Sequence, residues 1–193
     1  MSSKFVSDIA FTTAVKKRQA EMGSREAYQK MAEKQDWQTK ITEQLRYFIS
    51  QRDSFYMASS NAEGQPYIQH RGGPKGFLKV LDDEHLAFAD FSGNRQYISI
   101  GNFDENNKVH LFLVDYPNRK RIKIWGMASI ITGDEDLIKL LKDENYKVPI
   151  ERVIKIKITA WDANCPQHIQ PRYTLEEIKP YLGKIALDIK QAQ

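Results

Sequence analysis

The middle of the sequence reads Asp90-Phe91-Ser92-Gly93-Asn94-Arg95-Gln96-Tyr97-Ile98. Residues 85–90 are predicted to form a β-strand, and residues 94–102 a short helix. A strand that passes directly into a helix directs several unpaired backbone N–H groups at one point, where the helix dipole favours an anion. Ser92 and Asn94 add hydrogen-bonding side chains, and Arg95 adds a planar cation suited to phosphate. The segment therefore predicts a phosphate-binding turn, with a simple helix cap at the same residues as the alternative.

The composition is that of an ordinary globular protein. The chain has 193 residues, of which 41% are hydrophobic and 28% charged, so one domain with a substantial core is expected. The net charge of +4 is compatible with phosphorylated small molecules but too small to argue for nucleic acid. The single cysteine, Cys165, excludes an intrachain disulfide and fits a reducing cytosol. No apolar run resembles a signal peptide or reaches membrane-spanning length, so we expect a cytoplasmic protein that contacts no membrane.

The first quarter of the chain predicts helices. Residues 12–35 form a helical region broken at Gly23, and residues 39–51 form a stronger helix on which apolar residues repeat at helical spacing. That apolar stripe consists of Ile41, Leu45, Phe48 and Ile49. We expect residues 1–51 to be a helical extension that packs on the main domain or on a partner subunit. The main domain is residues 52–193, and it ends in a C-terminal helix.

From residue 54 onward the hydrophobic period changes to two, which is typical of β-strands. About six antiparallel strands joined by short turns predict a closed or split barrel, since closure removes exposed strand edges. The predicted fold class is therefore mainly β with flanking helices, built on a six-stranded antiparallel split β-barrel. The strands are predicted at residues 54–59, 66–71 with a continuation at 76–81, 85–90, 108–114, 120–131 and 151–161.

Three segments carry a resemblance to a known family. They are the turn quoted above, His70-Arg71-Gly72-Gly73-Pro74 and Asn164-Cys165-Pro166-Gln167-His168-Ile169. Over roughly residues 55–160 the chain resembles the FMN-binding split-barrel family typified by pyridoxamine 5'-phosphate oxidase. Over most of its length it also resembles an uncharacterised branch of predicted flavin-nucleotide-binding proteins. Gly93-Asn94-Arg95-Gln96 stands where the family has a Gly-Ser-Arg-Lys turn. Lys79 falls at the position of a phosphate-binding lysine, and Arg121, five residues before Gly126, at that of a polar flavin contact.

The resemblance implies a homodimer that binds FMN noncovalently at the subunit interface. The residues that would neutralise the phosphate are Lys79, Ser92, Asn94 and Arg95. Those that would orient the ribityl chain or the ring are Arg71, Gln96 and Arg121. A further donor to the edge of the flavin ring would be Gln167 or His168.

The implied activity is that of an FMN-dependent oxidoreductase acting on an unidentified small molecule, with NADH or NADPH as a candidate electron donor. True pyridoxamine 5'-phosphate oxidase activity is not expected. The family's C-terminal Arg-Leu-His-Asp-Arg motif is replaced here by Pro171-Arg172-Tyr173, and the lysine of its phosphate turn by Gln96. Two alternatives remain open: a flavin-binding or storage module without turnover, and a deazaflavin or haem ligand in the same pocket.

Two other patterns have competing interpretations. Arg119, Arg121 and Lys123 share a strand face with a tryptophan, and such a face could contact a flavin, bind single-stranded nucleic acid or form a solvated edge strand. The mild net charge disfavours nucleic acid. Cys165 and His168 could form a nucleophilic pair, but no third group is evident near them in the sequence. The histidines lack metal-ligand spacing, so no metal site is expected.

Overall fold

The computed structural model describes residues 4–164 and 166–182, so Cys165 and the end of the predicted C-terminal helix lie outside the described residues. The helical elements are a 3₁₀ turn, Val6–Ile9; α1, Thr13–Glu21; α2, Arg25–Lys34; α3, Glu43–Ser50; α4, Ile98–Glu105; α5, Glu135–Leu141; and α6, residues 175–182. The strands are β1, Ser54–Ser60; β2, Pro66–Gly72; β3, Lys79–Val80; β4, His85–Phe91; β5, Lys108–Asp115; β6, Lys120–Ile131; and β7, Ile150–Asn164. Within this part of the chain, no helix has the length and apolar character needed to cross a membrane.

The described strands form one antiparallel sheet in the order β2-β1-β5-β6-β7-β4-β3. This confirms the predicted mainly-β fold, with seven strands instead of six because the short strand β3 pairs with β4. The predicted strand at 76–81 is reduced to two residues. Gly76 has a φ of 77°, and its N–H donates to the Arg52 carbonyl at 2.7 Å. This left-handed conformation turns the chain, so pairing resumes only at Lys79.

The sheet curls around one apolar interior. Phe55 on β1 and Phe88 on β4 are separated by three strands in the hydrogen-bonded order, yet their ring centroids are 5.3 Å apart. In a flat sheet, strands that far apart would be roughly 19 Å from each other. The α3 side chains Leu45 and Ile49 are buried in the same core, as the helical stripe predicted. Because β2 and β3 are the two ends of the hydrogen-bonded order, the barrel is split between them.

The part of the N-terminal extension before α3 packs on the outside of the barrel. The Trp37 ring stacks on the Trp125 ring of β6 with centroids 4.8 Å apart, and the Phe11 ring lies 5.2 Å from the Trp37 ring. These aromatic contacts attach the extension to the outer face of β6. The division of the chain at residue 51, and contact between the extension and a second copy, stay predictions.

Gly126 lies at a bulge between β6 and β7 and has no room for a side chain. A Cβ atom there would lie 2.7 Å from the Ile156 Cγ2 atom and 2.7 Å from the Lys157 carbonyl oxygen. Gly126→Ala should therefore lower the free energy of unfolding by about 1–3 kcal/mol, the usual cost of overpacking. Urea denaturation measures this change.

The matched control for this substitution is Gly101→Ala. Gly101 lies on α4, and nothing lies within 4 Å of a Cβ atom added there. Because alanine is the better helix former, this change should be neutral or stabilise the protein by up to about 1 kcal/mol. Equal unfolding midpoints for wild type and Gly126→Ala would show that the bulge tolerates a side chain.

Candidate functional site

A cavity of about 310 Å³ lies at the split of the barrel, where β4 passes into α4. The connecting residues 92–97 are called the cradle below. Side chains from β2, the end of β4, the cradle, the first turn of α4 and the start of β7 line the cavity. Four of the predicted cofactor residues are among them, namely Arg71, Asn94, Arg95 and Gln96. Two carboxylates that sequence reasoning did not assign, Asp90 and Glu151, line it as well.

The cradle backbone has an uncommon conformation. Arg95 and Tyr97 have φ values of 57° and 53°, in the left-handed region that costs a non-glycine residue about 1–3 kcal/mol. Because these two residues are not in the right-handed helical conformation, α4 begins at Ile98. The predicted start at Asn94 was therefore wrong. The N-cap residue, Tyr97, provides no side-chain cap to the first-turn N–H groups of α4. The Asn94 side chain instead accepts a hydrogen bond from the Gln96 N–H at 3.3 Å.

Asp90 joins three strands through two ion pairs. Its side chain is buried, its Oδ1 atom lies 2.6 Å from Arg71 Nη1 of β2, and its Oδ2 atom lies 3.5 Å from Arg152 Nε of β7. The Arg152 guanidinium also lies 5.0 Å from the centroid of the Tyr97 ring. An acidic residue after the apolar run of residues 86–89 in β4 was the sequence signal for this arrangement, because a buried carboxylate needs cationic or hydrogen-bonding partners. Arg71 therefore lines the cavity, but its charge is already paired with Asp90, and its predicted contact with the ribityl chain or the ring stays a prediction.

Arg95 and Glu151 face each other across the cradle. The Arg95 side chain is 71% exposed, and its Nε atom lies 3.9 Å from Glu151 Oε1, beyond hydrogen-bond distance. The Ser92 hydroxyl donates a hydrogen bond to Glu151, and this bond, helped by the charges of Arg152 and Arg95, holds the pKa of Glu151 below its ordinary value of 4.5 although burial opposes it. Glu151 is thus an anion at neutral pH. The three arginines outnumber the two carboxylates, so the described site keeps one net positive charge.

The other predicted cofactor residues do not line this cavity. Ser92 supports it indirectly, through the hydroxyl bond to Glu151. Lys79 lies on β3 and pairs with Ala87 in the middle of β4, away from the end of β4 where the cavity lies. The remaining three are Arg121, which pairs with Asn164, and the exposed loop residues Gln167 and His168.

Arg121 and the loop after β7 lie at the far end of that strand from Glu151. At about 3.3 Å per residue, Glu151 and Asn164 are roughly 40 Å apart along β7. Within one chain, Arg121, Gln167 and His168 therefore lie at the opposite end of the barrel from the cradle, whereas Arg71 and Gln96 lie at the cradle cavity.

The basic strand face of β6 is partly used for packing. The Lys123 Nζ atom lies 4.9 Å from the Trp37 ring centroid, 5.3 Å from the Trp125 ring centroid and 3.1 Å from Asp162 Oδ2. These contacts favour a structural role for Lys123 over an open ligand-binding surface.

A larger cleft of about 960 Å³ lies near the β5–β6 turn and was not predicted. It lies between α3, that turn, the end of β7 and residues 172–177. Trp161 lines it, with its indole N–H donating to the Lys40 carbonyl at 2.8 Å, and the Arg172 guanidinium lies 4.7 Å from the Tyr116 ring centroid.

A curled antiparallel sheet with flanking helices and a cavity at its split defines a split β-barrel protein. The family model described as pyridoxamine 5'-phosphate oxidase matches residues 41–165. The chain therefore belongs to the pyridoxamine 5'-phosphate oxidase family, as the order of its motifs predicted.

Two solved structures show the same fold at low sequence identity. HupZ from group A Streptococcus has a TM-score of 0.52 and 19% identity, over 69% of this chain and 99% of that chain. An FMN-binding protein from Syntrophomonas wolfei subsp. wolfei has a TM-score of 0.52 and 18% identity, over 76% of this chain and 97% of that chain. None of the curated proteins matches the sequence.

Removing the Asp90 carboxylate should destabilise the fold. Asp90→Ala leaves the part-buried guanidinium groups of Arg71 and Arg152 without this partner, so the free energy of unfolding should fall by about 3 kcal/mol. Urea denaturation measures this change. The exposed residue Asp104 on α4 gives a matched control, since Asp104→Ala should change stability by less than about 0.5 kcal/mol.

A double variant separates the ion pair from the loss of the side chain. If Asp90 acts through Arg71, the Asp90→Ala and Arg71→Ala changes together should cost less than the sum of the two single changes. Additive effects, or an unchanged midpoint for Asp90→Ala, would contradict the bridging role.

Proposed function

We propose that this protein binds FMN noncovalently, with the phosphate of the cofactor at the cradle. The observation that carries this proposal is the position of Arg95. Its guanidinium is largely exposed at the cavity and only loosely paired with Glu151, so an incoming phosphate can bind it. Family membership and the likeness of the fold to an FMN-binding protein support the same assignment.

The groups around Arg95 fit a phosphate. The first-turn N–H groups of α4 lack a side-chain cap, and the helix dipole adds partial positive charge at this end. Asn94 and Gln96 add amide groups that line the same cavity. Asp90 does not repel the ligand strongly, because two arginines neutralise it. We expect weaker binding than in a relative with a lysine at position 96, because Gln96 carries no charge.

The proposed flavin site also needs a second copy of the chain. Arg121, Gln167 and His168 lie far from the cradle within one chain, so they can meet the same ligand only if they come from a partner. The cavity of about 310 Å³ is at the lower limit for small-molecule pockets, which agrees with a site that one chain only partly forms. Exposed Tyr56 and Ile68 on neighbouring strands β1 and β2 provide apolar surface for such an interface.

The proposed activity is that of an FMN-dependent oxidoreductase acting on a small molecule. When bound, FMN supplies hydride or electron transfer. The residues of the chain would bind the phosphate, orient the cofactor and place a positive group, Arg121 of the partner subunit, near the ring. One observation favours a second candidate, a flavin-binding module without turnover. Asp90 and Glu151, the carboxylates that line the described cavity, are both engaged by arginines and are poorly suited to transfer a proton.

Two spectroscopic measurements test these proposals. The absorption spectrum of the purified protein, before and after addition of FMN, identifies the ligand and separates FMN from deazaflavin or haem. Anaerobic mixing of the FMN complex with NADH or NADPH then separates the enzyme from the binding module. Bleaching of the flavin absorption, followed by reoxidation with an added acceptor, supports the oxidoreductase. A yellow protein that neither nucleotide reduces supports the module, and a protein that takes up no flavin contradicts both.

The Arg95→Ala variant tests the position of the phosphate. It should weaken FMN binding by more than about 1.5 kcal/mol, the value of a charge-assisted hydrogen bond, which is roughly tenfold or more in Kd. Riboflavin, which lacks the phosphate, should lose much less affinity. Quenching of flavin fluorescence during titration measures both constants.

The matched control is Arg18→Ala. Arg18 is an exposed arginine on α1 that pairs with Glu21 and lies outside the residues lining the cavity, so its removal should leave both flavin affinities unchanged. Equal FMN affinity for wild type and Arg95→Ala would place the phosphate elsewhere.

A further inference from the structure

Glu151 occupies an irregular position at the start of β7. Asp90 pairs with Arg152 and Phe91 pairs with Ile150, so Glu151 is the extra residue of a β-bulge. Bulges redirect a side chain, and they are common beside functional sites. The Glu151 carboxylate lines the cavity, and its side chain is 19% exposed. The bulge thus places a fixed anion at the cavity in which Arg95 also lies.

The contacts of Glu151 are the ones that an anionic ligand would also seek. Arg95 Nε lies 3.9 Å from Oε1, and hydrogen bonding from the Ser92 hydroxyl is the main cause of the lowered pKa of the Glu151 carboxyl. The Ser92 N–H donates to the Pro149 carbonyl at 2.9 Å, which fixes the cradle against the same end of β7. Arg152 holds the other carboxylate oxygen of Glu151, so this side chain is anchored beside the cradle.

We propose that Glu151 is an internal competitor that lowers the affinity of the cradle for phosphate by drawing Arg95 and Ser92 toward itself. This inference rests on the proposed function, because it concerns the same phosphate site. A dianionic phosphate monoester interacts with Arg95 more strongly than a single carboxylate does, so it displaces the Arg95–Glu151 contact. A monovalent anion gains much less from the exchange. Glu151 therefore selects phosphorylated ligands over ligands that carry one carboxylate.

Neutral substitutions of Glu151 test this role. Glu151→Gln keeps the size of the side chain and removes its charge, and Glu151→Ala removes both the charge and the hydrogen-bonding group. Both variants should bind FMN about three- to tenfold more tightly than wild type, while the affinity for riboflavin should change by less than about twofold. Fluorescence titration at one fixed salt concentration gives the constants, because screening changes with ionic strength. Thermal melting confirms that each variant is folded.

The matched control for the charge is Glu21→Gln. Glu21 also pairs with an exposed arginine, Arg18, at 2.7 Å, but it lies on α1 outside the residues lining the cavity. Its removal alters the net charge by the same amount and should leave FMN affinity unchanged. Equal tightening by Glu21→Gln and Glu151→Gln would assign the effect to net charge and overturn the proposal.

A double variant tests whether Glu151 acts through Arg95. In an Arg95→Ala background, Glu151→Gln should improve FMN binding by less than about twofold, because the shared partner is absent. Wild-type protein that binds FMN while Glu151→Gln binds it equally or more weakly would show that the carboxylate supports the cradle and does not compete, which overturns this inference alone. Absence of FMN binding in wild type and in both Glu151 variants would instead overturn the proposed function.

Discussion

The ion pairs of Asp90 fix the two sides of the split relative to each other. A carboxylate this deeply buried is stable only with cations or donors around it, and its two arginine partners come from β2 and β7. Arg71 brings the edge strand β2 next to the end of β4 without any backbone pairing between them. The gap that remains between these strands is the cavity. The charge of Asp90 therefore sets both the shape of the site and the orientation of its walls.

The same ion pairs decide which groups remain for a ligand. With Arg71 and Arg152 engaged by Asp90, the affinity for an anion depends on Arg95, on backbone N–H groups and on how firmly Glu151 holds Arg95. The left-handed conformation of Arg95 has an energetic cost that a simple helix cap would not need. A regular helix beginning at Asn94 would instead pair the N–H groups from Ile98 onward, which form the first turn of α4, with carbonyl oxygens of the preceding turn. The strained turn and the loosely paired cation both favour the phosphate-binding interpretation over the cap.

Local hydrophobic patterns predicted most helices and strands of the fold. They failed at positions where contacts between distant parts of the chain determine where an element begins. The alternation along β1, β5, β6 and β7, the apolar run in β4 and the stripe on α3 depend on neighbouring residues, so the sequence was sufficient for them. The late start of the predicted 76–81 strand depended on a hydrogen bond from the Gly76 N–H to the Arg52 carbonyl, which lies far away in the chain. The start of α4 depended on two left-handed residues that have no glycine signature. The acidic residue Asp90 stood out in the sequence of β4. Its partners Arg71 and Arg152 are distant in the chain, however, and hydrophobic periodicity does not indicate which charged residues form ion pairs.

The family resemblance assigned roles to residues without saying which copy of the chain supplies them. Arg95 and Arg121 are separated by 26 positions in sequence, a distance that would allow contact in many folds. In this fold they lie near opposite ends of β7, and a strand of 15 residues is too stiff and too long to bring its ends around one mononucleotide. If both residues contact one flavin, they must therefore come from two different chains. A monomeric protein would keep the phosphate end of the proposed site and lose the contacts of Arg121, Gln167 and His168 with the same ligand. Dimerisation is thus a geometric requirement of the proposed flavin site, if Arg95 and Arg121 are to contact one ligand, and not an independent assumption.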